Sequence, residues 1–293
     1  MKQSLCAVTS SREIMPGVNL MWLEASDIAA TAQPGQFVTV CCGNLILRRP
    51  FSIHRVVIAS QSPEPFASCH SEGGERPKNL AQCKFREGAA KQPQIALLFR
   101  VIGRGTLWLS QRRGGDKIDI LGPLGKGFSI EPGSRNLLLV AGGIGIAPLA
   151  FLLQHASPKH GVTLIYGAST ARGLCSFSPL PSGVQFVPVT EDGSRGRKGL
   201  ASEVLPDFLD WADQVYACGP VGMYKAMAEQ ISLRTQRSNL KLKKCQISLE
   251  VRMGCGIGAC YGCSINTKKG LRKVCRDGPV FELDDILWEE VKI

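Results

Sequence analysis

The sequence predicts an α+β two-domain protein: an N-terminal antiparallel β-barrel, a doubly wound α/β domain on a parallel sheet, and a small cysteine-bearing module at the C-terminus. Three observations carry this. The first half breaks into short strand-like runs separated by turn residues. From Asn136 onward, short apolar runs alternate with helical stretches, the rhythm of a parallel sheet. Four cysteines, Cys255, Cys260, Cys263 and Cys275, close the chain around a glycine-rich loop. At 293 residues the chain is long enough for two domains that each bury a core. The expected divisions are 1–125, 126–243 and 244–293.

The barrel strands are expected at Leu5–Thr9, Val18–Ala25, Gln36–Cys42, Phe51–Ile58, Ile95–Ile102 and Lys117–Leu121, with one helix near Thr106–Arg112. Pro16-Gly17, Pro34-Gly35 and Gly114-Gly115-Asp116 punctuate them. Ala59–Gln94 is rich in Ser, Pro, Glu, Gly and Lys and reads as a long inserted surface loop. Its Cys69, His70 and Cys83 have poor spacing for a second metal site, and His54 reads as structural rather than as a ligand. Gly122–Gly127 is too glycine-rich for a regular element and serves as the linker. Strands follow at Leu137–Ala141, Val162–Tyr166, Val184–Val189 and Gln214–Ala217, with helices at Ala147–His155, Leu200–Leu205 and Val221–Arg234.

Composition narrows the class. An apolar share of 44% and a charged share of 20% describe an ordinary globular protein. The apolar run Leu137–Leu153 contains Gly142, Gly143, Gly145 and Pro148, so it reads as strand, turn and helix rather than a membrane span. Twelve cysteines, four of them clustered, with no apolar signal segment at Met1–Cys6, point to a reducing cytoplasm rather than a disulfide framework. The net charge of +11 concentrates at Arg234–Lys244 and Lys268–Arg276, flanking the cysteine loop. Neither stretch interleaves with aromatics as a single-strand platform does, so solvated surface or a protein-docking face is favoured over nucleic acid.

Five motifs carry chemistry. The spacing C-x4-C-x2-C-x11-C, in a loop thinned by Gly254, Gly256, Gly258 and Gly262, is that of a [2Fe–2S] cluster whose sulfurs need close backbone N–H groups. The competing ligand set is four-cysteine zinc, which usually pairs two short knuckles across a longer gap. Arg49-Pro50-Phe51-Ser52 places a guanidinium suited to pyrophosphate and a hydroxyl suited to a flavin nitrogen on one strand, with Arg49 and Phe51 on one face by alternation. Arg104-Gly105-Thr106 opens a helix whose first N–H groups face phosphate. Gly142-Gly143-Ile144-Gly145 lies between strand and helix, and Cys218-Gly219-Pro220 supplies a second glycine turn at a later strand end, where open α/β sheets bind ligands. Cys218 is the candidate catalytic residue beside a nicotinamide; a buried apolar thiol is the alternative reading.

Taken together, R-P-F-S, G-x-G-T, G-P-L-G-x-G-F, G-G-I-G-x-A-P-L and C-G-P-x-x-M resemble the ferredoxin–NADP⁺ reductase superfamily. Glu250–Cys260 and Val274–Phe281 narrow the resemblance to the electron-transfer subunits of class 1B dihydroorotate dehydrogenases. It covers nearly the whole chain except Ala59–Gln94. The resemblance implies FAD held by Arg49, Pro50, Phe51, Ser52, Leu98, Phe99, Arg100, Gly105 and Thr106. It implies NAD(H) framed by Gly142, Gly143, Gly145, Gly219, Pro220 and Met223, and a [2Fe–2S] cluster on Cys255, Cys260, Cys263 and Cys275. It further implies an FMN-containing catalytic subunit as partner in a heterotetramer of two plus two, with no nucleic acid and no membrane. Electrons would pass from dihydroorotate oxidation on that partner through cluster and FAD to NAD⁺, in pyrimidine biosynthesis. The same cofactor set also serves sulfite reductase and transhydrogenase subunits, and an iron–sulfur redox sensor or nucleic-acid-binding protein is the reading from another class. Tyr166–Thr170 follows a strand where a 2′-phosphate is read, with Arg172 nearby, yet the resemblance implies NAD.

Overall fold

The computed structural model describes residues 1–58, 92–157, 159–175, 180–237 and 244–291. The expected inserted loop with Cys69, His70 and Cys83 lies outside the described residues as far as residue 91, as does most of the basic stretch after Arg237.

Six strands close the barrel: β1 (Lys2–Met15), β2 (Val18–Glu24), β3 (Phe37–Val40), β4 (Arg49–Val57), β5 (Gln94–Arg100) and β6 (Lys117–Leu124), in the order β1-β2-β5-β4-β3-β6. Helices α1 (Ser26–Ala29) and α2 (Arg104–Ser110) interrupt them. β1 is far longer than its apolar core Leu5–Thr9 suggests. Its first half pairs with β6 and its second half with β2, so one strand serves two neighbours, and its exposed half carries Ser10, Ser11, Arg12 and Glu13. A strand with only one apolar face in part of its length hides its true end from a hydropathy reading.

β2 and β5 are buried on both faces. Met21, Leu23, Ile95, Leu97 and Phe99 fill the barrel, while Leu20, Trp22, Ala96 and Leu98 join a second core with the α/β domain. That shared core fixes the barrel against α3 (Ile146–Ala156). Two polar contacts add direction: Gln154 Nε2 donates to the Val56 carbonyl at 2.7 Å, and buried His54 Nδ1 donates to the Ala147 carbonyl at 3.1 Å. Desolvation, with Arg55 adding, pushes the His54 pKa down to about 3, so the ring is neutral.

The parallel sheet uses β7 (Asn136–Gly142), β8 (Gly161–Ala168), β9 (Val184–Thr190), β10 (Arg197–Lys198), β11 (Gln214–Cys218) and β12 (Lys244–Ser248). The order is β10-β9-β8-β7-β11-β12, with α3 on one face and α4 (Ala201–Val204) and α5 (Val221–Arg237) on the other. Tyr224, Met227 and Ile231 put the buried stripe of α5 at helical spacing.

The expected division at 243/244 falls immediately before β12, so the sheet runs across it. β12 pairs in parallel with β11, and a tail strand numbered β15 (Val280–Glu282) adds antiparallel to β12. β12 escaped the sequence reading because Gln246 interrupts its apolar run. Its buried amide is satisfied: Nε2 donates to Ser129 Oγ at 2.7 Å and Oε1 accepts from Ser129 N at 3.0 Å. Between β12 and β15 come the cysteine loop, the hairpin β13 (Ser264–Thr267) and β14 (Gly270–Lys273), and the turn α6 (Val274–Asp277). Phe37 and Leu124 of the barrel share one core with Cys263, Ile265, Val274 and Cys275 of this segment. Among the described residues no helix is long and apolar enough to cross a membrane.

Candidate functional site

β4 carries Arg49–Ser52 against β3, in the register Val40↔Arg49, Thr39↔Pro50, Val38↔Phe51 and Phe37↔Ser52. Phe51 is buried in the barrel against Phe99, ring centroids 5.5 Å apart. Arg49 does not follow it inward: the guanidinium donates to the Leu47 carbonyl at 2.8 Å and the side chain lies against Gly105. The structure therefore brings the R-x-x-S strand and the G-x-G-T turn together. Leu98 and Phe99 are spent on packing, leaving Arg100 exposed at the strand end. The Thr106 hydroxyl accepts from Ile102 N and Gly103 N and donates to the Gly103 carbonyl, so it closes its own turn.

The two glycine turns also meet. A Cβ on Gly145 would strike the Cys218 carbonyl, and one on Gly142 would lie 2.8 Å from Pro220 Cδ. Only glycine permits this approach of the β7–α3 turn to the end of β11. Met223 closes the gap, its sulfur 3.2 Å from where a Cβ on Gly142 would stand. Gly143 takes the left-handed conformation at φ +54°. Cys218 is fully buried, and desolvation with the nearby Glu250 charge holds its thiol well above the usual range. A neutral, enclosed thiol is neither a nucleophile nor an acid at neutral pH. Sequence reasoning did not find Tyr224. Its hydroxyl accepts from Gly219 N at 2.9 Å and donates to the Ser248 carbonyl at 2.7 Å.

At the far ends of β8 and β9, Ser169 Oγ donates to Glu191 at 2.9 Å. Beside it, Asp192 is held below the usual carboxylate range by the Ser194 hydroxyl and amide. Two carboxylates stand where Arg172 alone was noticed.

In the cysteine loop the backbone turns inward onto sulfur. Cys255 Sγ accepts from Ile257 N (3.5 Å), Ala259 N (3.3 Å) and Cys260 N (3.4 Å). Gly262 N reaches Cys260 Sγ and Cys275 N reaches Cys263 Sγ, both at 3.4 Å. Desolvation raises the Cys255 thiol, but the N–H donors outweigh it and bring the pKa down to about 6. Burial and the neighbouring Cys263 push Cys275 up to about 12. The amides of Cys260 and Cys275 thus place those residues directly beside Cys255 and Cys263 respectively. Four clustered thiols with backbone amides aimed at three of their sulfurs are a donor set that fits an iron–sulfur cluster.

Gly256, at φ +74°, sits where a Cβ would lie 2.7 Å from Thr39 Cγ2. Thr39 pairs with Pro50. The cysteine loop is therefore seated on the strand next to the R-x-x-S motif.

Residues 250–287 match the family model described as the iron-sulfur cluster binding domain of dihydroorotate dehydrogenase B. The chain is 36% identical over 288 residues to the dihydroorotate dehydrogenase B (NAD(+)) electron transfer subunit of Desulforamulus reducens, covering 94% of this chain and 95% of that one. It is 35% identical over 286 residues to the protein of the same name from Caldanaerobacter subterraneus, covering 96% and 97%. The fold is that of an NADH-dependent reduced ferredoxin-NADP oxidoreductase (TM-score 0.75, 24% identity, 98% of this chain and 91% of that one). The Neisseria gonorrhoeae ferredoxin NADP⁺ reductase shares it more distantly (TM-score 0.57, 16% identity, 79% and 91%). With that identity sustained over nearly the full length, and the four thiols, two glycine turns and R-x-x-S strand on one scaffold, the chain belongs to the family of dihydroorotate dehydrogenase B (NAD(+)) electron transfer subunits.

Proposed function

We propose that this chain moves reducing equivalents between a dihydroorotate-oxidising partner subunit and NAD⁺, using FAD and a [2Fe–2S] cluster. The observation that carries the reading is the seating of Gly256 on Thr39, one strand from Pro50, while α3 is pinned to β4 through His54 and Gln154. The cysteine loop and the helix that follows the nicotinamide turn are thereby both fixed to the β3–β4 pair that carries the flavin motif. When bound, FAD supplies the conversion between hydride transfer with a nicotinamide and single-electron exchange with the cluster.

The residues divide the work. Arg49, beside Gly105, holds the flavin pyrophosphate, and Ser52 and Arg100 face the ring system. Gly142, Gly143, Gly145, Gly219, Pro220 and Met223 shape the nicotinamide cleft, with buried Cys218 as part of its floor. Cys255, Cys260, Cys263 and Cys275 hold the two irons. Glu191, oriented by Ser169, accepts ribose hydroxyls and repels a 2′-phosphate, favouring NAD over NADP. The partner docks on the cysteine module, where Ile257, Tyr261 and Leu271 are exposed among Lys268, Arg272 and Arg276. On this reading the partner is an FMN-bearing catalytic subunit, in a complex of two plus two chains. A cytoplasmic location goes with this reading.

An anaerobic visible spectrum of the purified protein, before and after NADH, tests the reading. Flavin bands with a broad iron–sulfur shoulder, both bleached by NADH, are expected. A colourless protein containing zinc would overturn it. Co-purification with the catalytic subunit, and its mass by light scattering, tests the partner and stoichiometry.

A further inference from the structure

Tyr224 occupies an unusual position for an aromatic side chain in the first turn of a helix. It is buried, and its phenol oxygen joins three segments, its own helix and the ends of β11 and β12. It accepts from Gly219 N, donates to the Ser248 carbonyl at the end of β12, and contacts the Cys218 thiol at the end of β11. Gly219 is the residue whose Cα faces Gly142 across the gap between the two glycine turns. Committing the Gly219 amide to Tyr224 fixes the rotation of that peptide, and so the width of the gap.

The ring is held from outside by the tail. Trp288, beyond β15, stacks on Tyr224 with centroids 5.5 Å apart and planes at 28°. The Trp288 indole N–H is buried with no hydrogen-bond partner among the described residues. A buried donor without a partner is costly and uncommon, so local hydrogen bonding does not explain an indole here, whereas the stack does.

Resting on the nicotinamide reading above, we propose that Tyr224 is a positioning residue for the nicotinamide site, tying the ends of β11 and β12 together through the Gly219 peptide, with Trp288 as its clamp. The consequence reaches past the site. The tail that delivers Trp288 follows directly from the last cluster ligand, Cys275, through α6 and β15, so the metal module braces the cleft into which its electrons pass.

The test uses the full-length, cofactor-loaded chain and NADH or NAD⁺ as probe. Tyr224→Phe keeps the ring and its stack and removes the hydroxyl. Its Kd for NAD⁺, read from perturbation of the flavin bands, and its KM for NADH with an artificial acceptor rise about tenfold, the factor expected for one buried hydrogen bond. FAD and iron per chain stay at wild-type values. Trp288→Leu reproduces that rise with the hydroxyl intact, and Trp288→Phe, which keeps an aromatic face, restores affinity to within about twofold. An unchanged Kd in Tyr224→Phe overturns the proposal, as does a rise accompanied by loss of FAD or iron, which marks general loosening. A wild-type protein that NADH does not reduce would instead overturn the nicotinamide reading itself.

Discussion

Arg49 shows how a residue acquires its role from a neighbour distant in sequence. Its strand position was legible, but only the fold lays it against Gly105, more than fifty residues on. Because among the described residues its guanidinium hydrogen-bonds only the Leu47 and Arg48 carbonyls just ahead of its strand, Arg49→Ala is expected to weaken FAD retention by about tenfold or more with little change in stability. Flavin content after dialysis checks this, and undiminished flavin would count against it. His54 makes the opposite case, a residue whose value is structural. Its folded pKa of about 3 lies below the ordinary 6.5, so the unfolded chain binds the extra proton first as pH falls. Its contribution is therefore complete above about pH 6.5 and is lost progressively towards pH 3, amounting to about 3 kcal/mol between pH 7 and pH 4. His54→Asn, which retains a donor for Ala147, should flatten the fall of melting temperature across that window. An equally steep fall in the variant would show that other groups dominate acid sensitivity.

At the scale of elements, the cysteine loop is built for sulfur: five backbone amides point at three thiols. Cys263 is buried while Cys260 is exposed, so the loop presents one edge to solvent and inserts the other into the common core. Cys263→Ser should remove or cripple the cluster while leaving Arg49, the glycine turns and Tyr224 untouched. NADH is then expected to reduce the flavin at near wild-type rate, while transfer to and from the partner subunit falls at least about a hundredfold. Stopped-flow flavin bleaching, set beside coupled turnover, separates the two. Full coupled turnover in this variant would sink the cluster assignment.

Across the whole molecule, three cores meet rather than stand apart. The barrel's outer face packs on α3, and its β3–β6 edge packs on the cysteine module. Electron transfer between sites needs that fixed spacing, and a shared apolar core supplies it more rigidly than a linker. The net charge of +11, with Lys268, Arg272 and Arg276 around exposed Ile257, Tyr261 and Leu271, defines a face that is both basic and apolar. Association with the catalytic subunit should therefore slow by about tenfold as ionic strength rises from about 0.05 M to 0.5 M, with a smaller change in dissociation. Surface-binding kinetics at several salt concentrations would check this, and an on-rate indifferent to salt would assign the docking to apolar contact alone.

The sequence by itself determined the fold class, the order of its parts and the spacing of the four cysteines, because each is written locally. Strand runs carry their own turn residues, glycine turns sit between strand and helix, and C-x4-C-x2-C is a spacing. It was silent on β12 and β15 because their polar positions, Gln246 and Glu282, are satisfied only by partners across the sheet. Only the tertiary structure decided that Arg49 meets Gly105, that Cys218 is sealed, that Ser169 aims Glu191, and that Tyr224 joins two strand ends under Trp288. Those are contacts between residues far apart in the chain, made by side chains whose type alone does not distinguish a ligand contact from a packing one. Local patterns specify elements; which elements touch depends on the global packing of apolar faces, and no local window contains it.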